Sequence, residues 1–134
     1  AAGTTPLALG SLRATLSGGE SARASLTAAR DLAKAMGAPG METLARCELS
    51  LLPGGEPTDA LSAFTAHEER LSAEERREAR HLLWRATGDR THLAEAKRLL
   101  DELLAKNPPE YHESMLANVR LNREIAAAEE AAGL

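Results

Sequence analysis

The chain has 134 residues, enough for one domain of ordinary size, and its 16 Lys and Arg against 20 Asp and Glu give a net charge of -4. This acidic balance disfavours unspecific binding to nucleic acid or to an acidic membrane surface. No apolar run approaches the roughly 20 residues of a membrane-spanning helix, and the N-terminal residues lack the pattern of a secretion signal, so we expect a cytoplasmic protein.

The apolar composition predicts an all-α fold. The sequence contains 27 Ala and 22 Leu, but only one each of Val, Ile, Phe, Tyr and Trp. Sheets favour β-branched and aromatic side chains, whereas Ala and Leu are strong helix formers. Because most of these side chains are small, we expect the helices to pack closely.

Short turn sequences recur along the chain at Gly18-Gly19, Gly54-Gly55 and Gly88-Asp89. Their first glycines are 36 and then 34 residues apart, the period of a helical-hairpin repeat. Six residues after each first glycine stands an alanine, where we expect the second helix of each hairpin to begin packing. These alanines are Ala24, Ala60 and Ala94.

The helices predicted from this period form three hairpins within a single domain that spans residues 1–134. They pair 6–17 with 20–37, 40–52 with 58–71, and 73–87 with 91–106, which places the hairpins at about 6–37, 40–71 and 73–106. Capping helices follow at about 109–132.

Local signals support these boundaries. Ser72 and Glu75 have the spacing of a capping box, which predicts a helix start at that point. Leu93, Ala96, Leu100 and Leu103 fall at helical spacing, and Asn107-Pro108-Pro109 ends that segment. A short helix with Met115 and a final helix with Leu121 and Ile125 are then expected to cover the open end.

Residues 80–125 resemble a known family ending. The segments that carry the resemblance are 83–89, with Trp84 and Gly88-Asp89, then 93–100 and 115–125. They are similar to the C-terminal tetratricopeptide repeats of large bacterial signalling proteins that couple a kinase, cyclase or ATPase module to a repeat tail. The resemblance implies a superhelical stack of antiparallel helix hairpins, in which the tail senses or assembles while catalysis resides in another domain. In this chain, Ala or Leu replaces most of the consensus aromatic residues.

The predicted helix 73–87 carries the strongest candidate binding surface. Ala79, Leu82, Leu83 and Ala86 form its apolar stripe, which leaves a cationic face around the only tryptophan. Guanidinium groups match carboxylates, and an indole supplies an apolar anchor, so this face could bind an acidic peptide. The alternative is that the helix has neighbours on more than one side and Trp84 simply packs. The candidate partner-binding residues are Arg77, Arg80, His81, Trp84 and Arg85.

The other potentially reactive residues are better explained by structural roles. His67-Glu68 faintly resembles the phosphoacceptor box of sensor histidine kinases, although no glycine-rich nucleotide lid accompanies it. The four histidines are too far apart in sequence for a typical zinc site, and we expect no metal or cofactor. Cys47 has no activating base nearby in sequence, so we expect a buried, inert thiol.

We therefore expect a noncatalytic interaction or regulatory module that binds a protein or peptide partner, or another domain of a longer chain. An alternative is a structural dimerisation element, in which exposed leucines of the last helices pair with a second copy. A second alternative is a histidine phosphotransfer fragment that uses His67.

Overall fold

The computed structural model describes residues 20–133, and every regular element in that range is a helix, which confirms the all-α prediction. The predicted helix 6–17 and the turn at Gly18-Gly19 lie outside the described residues. The α-helices are α1 (Glu20–Met36), α2 (Pro39–Ser50), α3 (Pro57–His67), α4 (Ala73–Thr87), α5 (Arg90–Ala105), α6 (His112–Asn118) and α7 (Arg120–Ala132), with 3-10 turns at Glu68–Arg70 and Pro109–Tyr111.

The helix boundaries follow the breaks in the sequence. Pro39 and Pro57 each begin a helix, where a missing backbone N–H costs nothing. Gly54 and Gly88 take positive φ angles of 79° and 74° in the turns that follow α2 and α4. Side chains other than glycine are strained in that region, so these two positions fix the turns. The predicted boundaries of the helices within 20–133 agree with the structure to within a few residues.

The chain divides into two compact units, one ending at Ser72 and one beginning at Ala73. In the described part of unit 1, α2 packs against both α1 and α3. Small residues dominate the contact surfaces, and Phe64 is the one aromatic side chain buried there. The backbones can therefore approach closely, as the Ala-rich composition predicts. The buried apolar residues of this unit include Ala22, Leu26, Ala33, Ala45, Cys47, Ala60, Ala63, Phe64 and Leu71.

In unit 2, α4 packs on α5, and α7 packs against both α5 and α6. Ala96 and Leu100 of α5 form a buried cluster with Ile125 of α7. Arg90 at the start of α5 also donates a hydrogen bond to the carbonyl oxygen of Ala132 at the end of α7. The final helix, α7, therefore contacts α5 through apolar side chains and through a hydrogen bond at the C-terminal end of α7. Leu103, Leu104, Leu116 and Leu121 complete this cluster as half-buried side chains.

Two of the three alanines expected to begin helix packing do not do so. Ala60 is buried, as predicted, but Ala24 and Ala94 are exposed. In α5 the buried stripe consists of Leu93, Ala96 and Leu100, and each residue turns about 100° around the helix axis, so Ala94 lies off the stripe. The prediction placed each alanine six residues after a turn glycine and did not take this rotation into account.

None of the helices within residues 20–133 combines the length and the apolar character needed to cross a bilayer.

Candidate functional site

The five predicted partner-binding residues all lie on α4, but they do not share one exposed face. Arg77 and His81 are buried, at 5% and 4% relative exposure, whereas Arg80 and Trp84 are half-buried and Arg85 is exposed. The expectation that Arg77 and His81 lie on a solvent-facing surface is therefore wrong. Because Ala79, Leu82 and Leu83 are buried as well, α4 is covered on more than one side.

Arg77 is held in an unusual environment for a cation. Its Nε–H group is buried and has no hydrogen-bond partner. Burial lowers the pKa of Arg77, while the nearby carboxylates of Glu74 and Glu78 oppose that shift. A long arginine side chain can place its methylene groups against apolar surface, which explains how a cationic position can belong to a packed face.

His81 and Trp84 lie side by side on α4, with ring centroids 6.0 Å apart and ring planes at 32°. Burial lowers the pKa of His81, and Arg85 and Arg120 act in the same direction against the opposing charge of Glu124. The neutral imidazole packs as an aromatic ring. This pair therefore matches the packing interpretation of Trp84 that the sequence left open.

Arg80 connects α4 to the first turn of α5. Its Nη1 atom lies 2.9 Å from Nδ1 of His92, so the guanidinium donates and the imidazole nitrogen accepts. Burial lowers the pKa of His92, and the charge of Arg80 adds to that effect, which Asp89 opposes. Asp89 in turn caps α5 by accepting from the backbone N–H of Thr91 at 2.9 Å. Arg80 thus has a clear role in positioning two helices.

His67, the histidine of the phosphotransfer alternative, is the last residue of α3. Its Nδ1 atom lies 2.7 Å from Nη2 of Arg70, and its Nε2 atom lies 3.7 Å from Oε1 of Glu42. Both ring nitrogens therefore face charged side chains of the same unit. Within residues 20–133, no group of three or more His, Cys, Asp or Glu side chains is arranged to hold a metal ion. Cys47 is buried, as expected.

A second candidate site lies in unit 1 and was missed by sequence reasoning. A groove of about 700 Å³ is bounded by α1, α2, the turn at Gly54-Gly55 and the start of α3. Three arginines line it, together with hydroxyl side chains from α1 and α3. We call it the arginine groove and define it by Arg23, Arg30, Arg46, Thr27, Thr58 and Ser62.

The three arginines of the groove have different bonding partners. Arg23 donates from Nη2 to the carbonyl oxygen of Pro53 at 2.5 Å. Arg30 pairs with the adjacent Asp31 at 3.0 Å, where the aspartate side chain is 64% exposed. Arg46 makes two carboxylate contacts at 2.6 Å and 3.0 Å, to Asp59 and to Glu42. Burial is the largest single influence and lowers the pKa of Arg46, but the hydrogen bonds and negative charges of Asp59 and Glu42 together outweigh it and raise the pKa.

A sequence signal for the groove does exist. Arg23, Thr27 and Arg30 are spaced four and three residues apart, which places them along one face of α1, and Thr58 and Ser62 are spaced in the same way on α3. Polar residues at such spacing ordinarily form a solvated face. Only the packing of three helices shows that these faces converge.

The chain matches no protein-family model, and searches of curated proteins and of solved structures found no similar protein.

Proposed function

We propose that this chain is a noncatalytic protein-binding module, built as a tetratricopeptide-like superhelical stack, and that it is the C-terminal portion of a larger bacterial signalling protein. The observation that carries the binding function is the arginine groove, because it is a concave surface formed by three packed helices and the turn between two of them. Preformed grooves bind peptide segments with little cost of ordering the protein.

The stack is supported by the repeated turns and by the hairpin packing within each unit. Helices joined by short turns pack side by side in the pairs α1 with α2, α2 with α3, and α4 with α5. The turn glycines Gly54 and Gly88 stand 34 residues apart. Hairpins of this length bury their apolar faces fully only when neighbouring hairpins stack on them.

Selection of displayed random peptides against the full chain tests the binding function. We expect one family of related sequences to be enriched and to bind with one peptide per chain in calorimetry. The alternative of a dimerisation element predicts a different result, since sedimentation would show a concentration-dependent dimer and no peptide family would emerge. That combination would refute the proposed function.

A further inference from the structure

The charges around the arginine groove are unevenly balanced. Arg46 faces two carboxylates, so its charge is largely neutralised and its position is fixed. Within residues 20–133, Arg23 donates to a backbone carbonyl oxygen, and such a contact does not neutralise its positive charge. The pair between Arg30 and the exposed Asp31 is weak, because exposed ion pairs contribute little. Arg23 and Arg30, both on α1, can therefore bind the carboxylates of a partner.

The spacing of these two arginines selects a peptide geometry. Arg23 and Arg30 are seven residues apart on α1, and a rise of 1.5 Å per residue separates them by about 10 Å along the helix axis. In a polyproline-II segment, residues three apart lie on the same side, separated by about 9 Å. Carboxylates at positions i and i+3 of such a segment would therefore match the two guanidinium groups.

The remaining groove residues favour a peptide over a continuous polyanion. Glu56 and Asp59 also line the groove, and their carboxylates repel any negative charge that does not lie against Arg23 or Arg30. An unbroken phosphate backbone cannot avoid this repulsion, whereas a peptide with carboxylates spaced apart can. A polyproline-II segment makes no internal hydrogen bonds, so its carbonyl oxygens are free to accept from nearby donors. The hydroxyl groups of Thr27, Thr58 and Ser62 are such donors.

We propose that the arginine groove binds an acidic protein segment in the polyproline-II conformation, with carboxylates three residues apart contacting Arg23 and Arg30. This inference rests on the protein-binding function proposed above and names the partner class for that groove.

Fluorescence anisotropy with three labelled peptides tests the proposal on the full chain. The peptides are EPPEPPE, its neutral counterpart QPPQPPQ, and PPEEEPP, which has the composition of the first peptide but not its spacing. We expect EPPEPPE to bind about tenfold more tightly than either of the others, and to weaken as salt is raised from about 50 to 500 mM. If EPPEPPE bound with the same affinity as QPPQPPQ, or as PPEEEPP, the proposal would be overturned. This test needs only the unmodified protein.

A matched pair of variants then locates the site. Arg30→Gln should weaken EPPEPPE binding about three- to fivefold, as expected for one exposed ion pair. Arg98→Gln is the control, because Arg98 is also a helical arginine paired with a nearby carboxylate, that of Glu95, but it does not line the groove. Circular dichroism checks that both variants fold. An equal loss in both variants would refute the assignment to the groove.

The results also separate this proposal from the proposed function. If the peptide selection yields a family without acidic residues, or one whose binding is unaffected by Arg30→Gln, the module binds proteins but the inferred partner class is wrong. If the selection yields no family at all, the binding function itself fails.

Discussion

Arg77 shows why single residues of this chain were hard to interpret from sequence. A cationic residue opposite an apolar stripe is ordinarily solvent-exposed, yet its side chain is buried and its Nε–H is unpaired. An unsatisfied buried donor costs free energy, and burial of the charge adds to that cost. We therefore expect the buried guanidinium of Arg77 to lower the stability of the folded protein.

Replacing Arg77 by methionine should stabilise the protein. Methionine retains an unbranched side chain that can fill the same space, and it removes the unpaired donor and the buried charge. We expect the free energy of unfolding to rise by up to about 1 kcal/mol in urea denaturation. Arg85→Met, at an exposed position on the same helix, should change it little. A clear loss of stability in Arg77→Met would show that the guanidinium makes a favourable interaction.

The two buried histidines should make stability depend on pH. Burial lowers the pKa values of both His81 and His92 in the folded protein, so below the ordinary histidine pKa of about 6.5 the unfolded chain binds more protons. The stability contribution of neutral histidines is therefore fully present above that pH and is lost as pH falls through the window below it. The slope is at most about 1.4 kcal/mol per pH unit for each histidine.

Unfolding measured between pH 7.5 and 5 should reveal this loss, and NMR titration of the two rings should assign it. Lys and Arg stay protonated in this range, and carboxylates with lowered pKa values, such as Asp89, lose their contribution at lower pH. Ring titration midpoints at or above the ordinary histidine value would contradict the account.

At the scale of helices, α5 shows how far sequence patterns can be taken. Its apolar stripe was identified correctly in Leu93, Ala96 and Leu100. The position judged important from the turn period, Ala94, is exposed instead. Periodicity within one helix thus gave the buried face reliably, whereas a fixed distance from a turn glycine did not.

A matched pair of substitutions in α5 tests this distinction. Ala96 is fully buried against α7, so Ala96→Leu should force a larger side chain into a filled space and cost about 1 to 3 kcal/mol. Ala94→Leu should be nearly neutral, since its side chain extends into solvent. Thermal unfolding of the two variants measures the difference, and similar destabilisation by both would contradict the packing of α5.

Helix positions could be predicted because their signals are local, but the candidate site could not. Pro39, Pro57 and Gly88 mark boundaries through their own backbone restrictions. The arginine groove requires Arg23 and Arg46, on different helices, to approach one cavity, and that depends on how α1 and α2 pack. The burial of His81 likewise depends on what covers α4 outside its apolar stripe, which the sequence of α4 does not specify.

At the scale of the whole molecule, the chain forms two compact units. In unit 2, α5 packs against both α4 and α7, so a loss of packing on α5 should reach the buried residues of all three helices. Weakening unit 2 by Ala96→Leu should therefore raise amide hydrogen exchange several-fold at Leu83 and Ile125. Ala94→Leu serves as the control. Unchanged exchange at both residues would contradict the packing of α5.

The binding function depends on a localised groove in unit 1, and amide NMR spectra of the full chain titrated with EPPEPPE test that most directly. The account predicts saturable shifts at Thr27, Gly54, Gly55 and Thr58, with the α4 amides of Arg80 and Trp84 unmoved. Shifts centred on α4, or none at peptide concentrations that saturate the anisotropy signal, would contradict it.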